Sequence, residues 1–424
     1  MRGAISMDFW TVRGGKKLYG ACRVQGSKNA SLPILAASVL AGGETELTNV
    51  PRLRDIDAAL RILRHLGCRA EQEGNSLYID ARGLVHSSVP ESLMHEMRSS
   101  VIFMGALLAR CGEVRLSPPG GCRLGKRPID LHLKALRQLG AEVEERGGEI
   151  LCRAAKLCGT TIRLPFPSVG ATENAMLAAC AAEGETVIEG AAREPEIEAL
   201  QDYLNKMGGS VRGAGTGRIV VAPGRPGGPV RFAIQPDRIA AATLACACAA
   251  AGGEVELTDA EPAHFSTVLH FLKDAGCDII TKQRCLTVRS DGRLRAVSPI
   301  TTEPYPGFPT DAQPVLMAAL LRAEGVTGIR ETIFENRFRQ VPELRKLGAD
   351  IRLDGQTAEI RGVKRLHGAE LEATDLRGGA AMLVAGLAAE GETRITDEGH
   401  IARGYERFDR VLSALGAEVR RTDS

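Results

Sequence analysis

Nothing constrains this chain more than a sixfold internal repeat. Six times an amphipathic helical run closes with a similar phrase, among them Leu136-Arg137-Gln138-Leu139-Gly140 and Leu344-Arg345-Lys346-Leu347-Gly348. The closing glycines stand at 67, 140, 208, 276, 348 and 416, so the steps are 73, 68, 68, 72 and 68 residues. Glycine in that place predicts a left-handed helix C-cap. Each phrase runs into a short alternating strand, such as Ala141-Glu142-Val143-Glu144. Upstream in each copy lies a second, alanine-rich helical run followed by another strand, as where residues 239–250 precede Gly253-Glu254-Val255-Glu256-Leu257. A helix apolar on most faces must be buried. One such helix per copy predicts an α/β fold with helices inside and sheets outside. The period exceeds that of the common solenoids, and six copies divide naturally into two domains of three.

Composition narrows the function. The chain has 424 residues, enough for two or three domains with real cores. Its net charge of +2 creates no global field for nucleic acid, and its scarce aromatics offer no base-stacking surface. Any anion site must be a local cluster. Eleven cysteines without Cys-x-x-Cys spacing, and no secretory signal, predict reduced thiols and a cytoplasmic location. Cys246 and Cys248 lie in an alanine-rich run and read as helix packing. That run, residues 239–251, is too short and too weakly apolar to span a bilayer. Residues 1–6 read as dispensable, with a first strand from Asp8.

One stretch carries reactive chemistry. Ser117-Pro118-Pro119-Gly120-Gly121-Cys122-Arg123-Leu124-Gly125-Lys126-Arg127 cannot be a helix interior or a central strand. It predicts a surface loop with Cys122 beside three cations, where a thiol pKa falls and the thiol becomes nucleophilic. A solvated basic turn with an incidental cysteine is the plainer alternative. Gly120 to Lys126 also fits a phosphate-cradling G-x-x-x-x-G-K. The next residue is Arg127 rather than Ser or Thr, which argues against a nucleotide hydrolase.

Polar clusters also recur where each alanine-rich helix begins. Gly26-Ser27-Lys28-Asn29 opens the first, and a cation at a helix N-terminus is disfavoured unless an anion compensates it. Arg98 stands at the second start. Ser168-Val169-Gly170-Ala171-Thr172 opens the third, where the hydroxyls suit either capping or phosphate contacts, and capping alone would explain Thr172. Asp237 is an N-cap for the fourth. Thr310 can cap the fifth, leaving Asp311 free as a candidate base for a hydroxyl. Asp375 and Arg377 open the sixth, and Arg403 follows it.

Taken together, these phrases resemble the enolpyruvyl transferases, and within them the enzymes whose acceptor is UDP-N-acetylglucosamine. The resemblance covers the chain from about Met7. It runs through Gly26-Ser27-Lys28-Asn29-Ala30, Met97-Arg98-Ser99-Ser100, Pro119-Gly120-Gly121-Cys122, Arg127-Pro128-Ile129-Asp130-Leu131-His132, Ser168-Val169-Gly170-Ala171-Thr172-Glu173-Asn174, Phe308-Pro309-Thr310-Asp311, Ile333-Phe334-Glu335-Asn336-Arg337-Phe338, Thr374-Asp375-Leu376-Arg377 and Arg403-Gly404-Tyr405-Glu406. It implies two inside-out α/β barrel domains, each of three βαβαβ-type repeats. The first would comprise 1–27 with 236–424, and the second 28–235. It implies transfer of the enolpyruvyl group of phosphoenolpyruvate to the sugar 3-hydroxyl, with release of phosphate and with no metal or organic cofactor.

By the same resemblance Cys122 is the proton donor and Asp311 handles the hydroxyl proton, while Lys28, Arg127 and Arg403 clamp phosphate and carboxylate. Lys28, Asn29, Arg98, Arg127, Pro128, Ile129, Asp130, Leu131, Phe166, Pro167, Ser168, Val169, Asp311, Ile333, Asp375, Arg377 and Arg403 bind the substrates. The expected partners are the two substrates, without nucleic acid or membrane, in a monomer or weak homo-oligomer. The chain departs from the family pattern at Phe166, Ala240, Gly378-Gly379 and Ala402. The alternatives are a non-catalytic UDP-sugar-binding paralogue and the shikimate-pathway synthase, whose serine-rich motif is absent here.

Overall fold

The alanine-rich runs form helices because their residues favour the helix, and in four of them the side chain of Ser27, Ser168, Asp237 or Asp375 accepts from the first N–H groups. The structure, a computed structural model, describes residues 7–40, 42–117, 129–224 and 226–423. The six buried helices are Lys28–Ala37, Phe103–Cys111, Val169–Ala179, Arg238–Ala251, Gln313–Ala319 and Leu376–Ala388. They are buried almost throughout; every residue from Arg238 to Ala250 is in the interior. The amphipathic partners are Arg54–His65, Asp130–Gln138, Pro195–Lys206, Ser266–Asp274, Val341–Lys346 and Phe408–Ala414. All six closing glycines have positive φ, from 92° at Gly348 to 109° at Gly276, as the C-cap reading requires.

Among the described residues the strands form six four-stranded sheets with one common plan. Each has a parallel pair at one edge and two antiparallel pairings. In one sheet Leu18–Arg23 runs parallel to Gly253–Thr258, which pairs antiparallel with Cys285–Ser290, itself antiparallel to Asp278–Lys282. Gly253–Thr258 alternates buried and exposed residues, so one face meets the core and the other solvent. This mixed order is one the repeat phrases did not specify.

Chain contacts divide the described residues into two compact units, and the chain passes from one to the other at 25/26 and 235/236. One unit joins residues 7–25 to 236–423, because Asp8–Arg13 inserts between Glu392–Asp397 and Glu418–Asp423. Within it the helices Arg238–Ala251, Gln313–Ala319 and Leu376–Ala388 pack on one another. The other unit, within 26–235, is closed by Val230–Ala233 running parallel to Glu44–Thr48. Each has its own apolar core. Ten cysteines lie among the described residues and all are free; Cys246 and Cys248 are fully buried, as helix packing predicts. Among the described residues no helix is long and apolar enough to cross a membrane.

Candidate active site

In the unit of 236–423, two buried arginines grip one carboxylate. Asp311 stands in the short 3-10 turn Thr310–Ala312 that leads into Gln313–Ala319. Its Oδ1 accepts from Arg337 Nη2 at 2.7 Å, and its Oδ2 accepts from Arg377 Nη2 at 3.0 Å and Nε at 3.3 Å. The arginine side chains are 2% and 3% exposed, whereas that of Asp311 is 31% exposed. Arg337 also donates twice to the Thr310 carbonyl, at 3.1 and 3.2 Å. Arg377 donates to the Tyr405 hydroxyl at 3.1 Å, which is hydrogen-bonded to Thr243 at 2.9 Å. Burial works against the Arg377 charge, but Tyr405 and Asp311 outweigh it and raise its pKa above the ordinary value. The guanidinium is therefore a fixed positive charge.

Thr310 and Asp311 both depart from what the sequence predicts. Thr310 does not cap its helix: its hydroxyl donates to both oxygens of buried Glu331, at 3.0 Å each. Asp311 is not free but held between the two guanidiniums. Glu331 also accepts from the backbone N–H groups of Ile333 and Phe334, fixing Ile333 beside the Thr310 turn. Asp375 is the N-cap of Leu376–Ala388, its Oδ1 accepting from the N–H groups of Arg377 and Gly378. Asp237 caps Arg238–Ala251 through Ile239 and Ala240, as read from the sequence. Arg403 is half-buried and ends the 3-10 turn Ile401–Arg403. That turn is anchored by Asp397, which accepts from the N–H groups of His400 and Ile401, and by Gln25, which bonds Gly404 and Glu406.

The unit of 26–235 answers the question of Lys28 with a partner. Its ammonium donates to Asp55 at 3.0 Å, with both side chains largely out of solvent. The compensating anion thus comes from the chain itself, whatever else Lys28 meets. Ser27 caps the helix through Ala30, and Asn29 is half-buried. At the third helix Ser168, not Thr172, is the cap, accepting from Ala171. Thr172 instead donates to the Ser168 carbonyl and accepts from the N–H of Ala192, so packing explains it. Before that cap Pro167 is half-buried and Phe166 is 44% exposed, an aromatic ring left open to solvent. Ile129 and Leu131 pack partly on the core while Asp130 is exposed. Cys122, Arg127 and Pro128 lie outside the described residues, and of Arg98 only the backbone, at the start of Arg98–Ile102, is described.

Sequence reasoning gave no role to Asp55, Glu331, Arg337 or Tyr405. The only signal for Arg337 was its place in the Ile333–Phe338 phrase. Among the described residues no group of three or more His, Cys, Asp or Glu side chains is arranged to hold a metal.

Residues 12–412 match the family described as EPSP synthase (3-phosphoshikimate 1-carboxyvinyltransferase). UDP-N-acetylglucosamine 1-carboxyvinyltransferase 2 of Caldanaerobacter subterraneus is 46% identical over 413 residues, covering 97% of this chain and 99% of the relative. The Myxococcus xanthus UDP-N-acetylglucosamine 1-carboxyvinyltransferase is also 46% identical, over 98% of this chain and 99% of its own. Among solved structures, the enolpyruvyl transferase NikO of Streptomyces tendae superposes with a TM-score of 0.89 at 26% identity, over 99% of this chain and all of that one. EPSP synthase of Acinetobacter baumannii, at 22% identity and a TM-score of 0.74, shares the fold of two similar α/β domains. With near-complete coverage at close to half identity, the chain belongs to the UDP-N-acetylglucosamine 1-carboxyvinyltransferases of the EPSP synthase family.

Proposed function

We propose that this protein transfers the enolpyruvyl group of phosphoenolpyruvate to the 3-hydroxyl of UDP-N-acetylglucosamine, releasing phosphate, in the first committed step of peptidoglycan synthesis. The observation that carries this reading is the end-to-end similarity to enzymes of that name. In the addition step the sugar oxygen bonds to carbon 2 of the enol as its proton leaves, and carbon 3 gains a proton. In the elimination step carbon 3 loses a proton and the bond from carbon 2 to phosphate breaks. The chemistry calls for no metal or organic cofactor.

In this reading Cys122 supplies the carbon 3 proton and Asp311 takes the hydroxyl proton. Held from two sides by Arg337 and Arg377, the Asp311 carboxylate is set in place before substrate arrives. Lys28, Arg127 and Arg403 hold phosphate and carboxylate, with Asp375 and Arg377 in support. Asn29, Arg98, residues 127–131, Phe166 to Val169 and Ile333 hold the UDP-sugar. The two units are taken as two inside-out barrel domains, 1–27 with 236–424 and 28–235. The location is cytoplasmic and the state a monomer or weak homo-oligomer.

The test is phosphate release from phosphoenolpyruvate with and without UDP-N-acetylglucosamine, with shikimate 3-phosphate as control acceptor. Release that depends on the UDP-sugar is expected. Release only with the shikimate compound, or binding of UDP-sugar without release, would overturn the proposal.

A further inference from the structure

A buried hydrogen-bond pin joins three segments of the 26–235 unit. Asn174, on Val169–Ala179, accepts the N–H of Gly105 through Oδ1 at 2.6 Å. That donor fixes which way the amide faces. Its Nδ2 must then donate to the Val101 carbonyl at 3.1 Å and to His132 Nδ1 at 2.8 Å. His132 Nδ1 is therefore the acceptor, and the proton sits on Nε2. The ring presses against Gly170, in the first turn of the helix after the Ser168 cap. A Cβ there would lie 2.9 Å from Cε1 and 3.3 Å from Nε2. Glycine is required at 170 by this close approach, not by an unusual φ.

The pin is placed where it matters. His132 is the third residue of Asp130–Gln138, directly after Asp130 and Leu131. Asn174 and Gly170 lie on the helix that Phe166 to Val169 leads into. Val101 belongs to the turn that Arg98 begins. All three segments carry residues assigned above to the UDP-sugar, yet neither His132 nor Asn174 is among them, and both are buried.

We propose that His132 and Asn174 are positioning residues for UDP-sugar binding, setting the start of Asp130–Gln138 against the N-terminus of Val169–Ala179 so that both reach one nucleotide-sugar. The inference rests on the assignment of those segments to the UDP-sugar. It predicts a loss of affinity for that substrate alone, whereas a merely structural role would weaken everything together.

The experiment measures the dissociation constant for UDP-N-acetylglucosamine by titration calorimetry, and KM for phosphoenolpyruvate at saturating sugar. His132→Leu keeps bulk and removes the acceptor. His132→Asn keeps an acceptor near Nδ1 and removes Cε1 and Nε2. Gly170→Ala drives a methyl into the ring. His132→Leu and Gly170→Ala are each expected to weaken UDP-sugar binding about tenfold or more while KM for phosphoenolpyruvate moves less than about twofold. His132→Asn is expected to bind nearly as wild type, and the double variant Gly170→Ala/His132→Asn to recover most of what Gly170→Ala loses.

Unchanged UDP-sugar affinity in Gly170→Ala, or a double variant as weak as Gly170→Ala, would overturn the inference, as would equal losses for both substrates. Should His132→Leu fail to fold, the Gly170 pair still decides. Phe166→Ala and Asp130→Ala are the controls. If they weaken UDP-sugar binding and the pin variants do not, the pin alone is wrong. If they too leave it unchanged, the assignment of the UDP-sugar segments is wrong.

Discussion

Arg337→Met is the most informative single substitution in the Asp311 cluster. Methionine fills a similar buried volume beside Phe334, whose ring lies 5.6 Å from the guanidinium, so charge and hydrogen bonds are lost with little cavity. The change deletes two bonds to the Thr310 carbonyl and one ionic bond to Asp311. Breaking a fully buried ion pair costs about 3–5 kcal/mol. Asp311 keeps Arg377 and is 31% exposed, so water and the second arginine soften the loss. We expect about 2–3 kcal/mol, near the range for hydrogen bonds to charged groups. That lowers the melting temperature by roughly 4–12 °C for a domain of this size. Differential scanning calorimetry of the full chain reads it.

The same substitution releases one of two restraints on a carboxylate proposed to meet the sugar hydroxyl, so kcat should fall about tenfold or more while KM for phosphoenolpyruvate changes little. A melting temperature within about 1 °C of wild type, together with unchanged kcat, would refute both the energetic reasoning and the view that Arg337 presets Asp311.

Cys122→Ser is expected to abolish most turnover and leave the melting temperature unchanged, measured by phosphate release and calorimetry. An epoxide analogue of phosphoenolpyruvate should alkylate Cys122 first among the eleven cysteines, read by mass mapping. Burial, seconded by the charges of Glu196 and Glu194, pushes the Glu173 carboxyl well above its ordinary range. The folded state then holds a proton the unfolded state has lost, so stability declines as pH rises from about 4.5 toward the folded value. Glu173→Gln should remove that decline, in urea unfolding compared at pH 6 and pH 8.5. His132 has the opposite sign. Burial lowers its pKa to about 4, against a smaller upward pull from Asp130. The unfolded state binds more protons between about 6.5 and 4, so this stability is intact above 6.5 and is lost as pH falls through that window, by about 3 kcal/mol in all. His132→Asn should lose less on acidification than wild type, measured by urea midpoints at pH 7 and 4.5.

The fold was legible because its signals are local and repeated. A period of 3.6 in one run and 2 in the next is visible within a dozen residues, and six closing glycines at nearly equal steps announce one unit copied. Positive φ at each of them bears the reading out. Helix starts were legible for the same reason, since a cap and the N–H groups it serves lie within three residues. Even so, local chemistry did not single out the cap at the third helix, where two hydroxyls stood close together, and it offered Thr310 at the fifth, where no side chain caps at all. There Glu331, 21 residues away, draws the Thr310 hydroxyl from the role that local chemistry offered it.

The site hides its partners for a related reason. Lys28 was conspicuous because a cation at a helix N-terminus is out of place, but its partner Asp55 lies 27 residues on, in the first turn of Arg54–His65, where an acidic residue is ordinary. Arg337 is 26 residues from Asp311, Tyr405 is 28 from Arg377 and Asn174 is 42 from His132. Periodicity says which face of an element is buried; it does not say which buried polar group will meet which. The requirement that buried polar groups be paired still works as a guide once the helix starts are placed. Arginine at the start of an otherwise apolar helix cannot stay buried alone, so Arg377 demanded a carboxylate and a hydroxyl from elsewhere in its own unit. The residues that satisfy it, Asp311 and Tyr405, belong to the phrases at the next helix start before it and the turn after it. In this unit the pairing problem of Arg377 is solved at the ends of neighbouring elements, and the polar groups that solve it gather there.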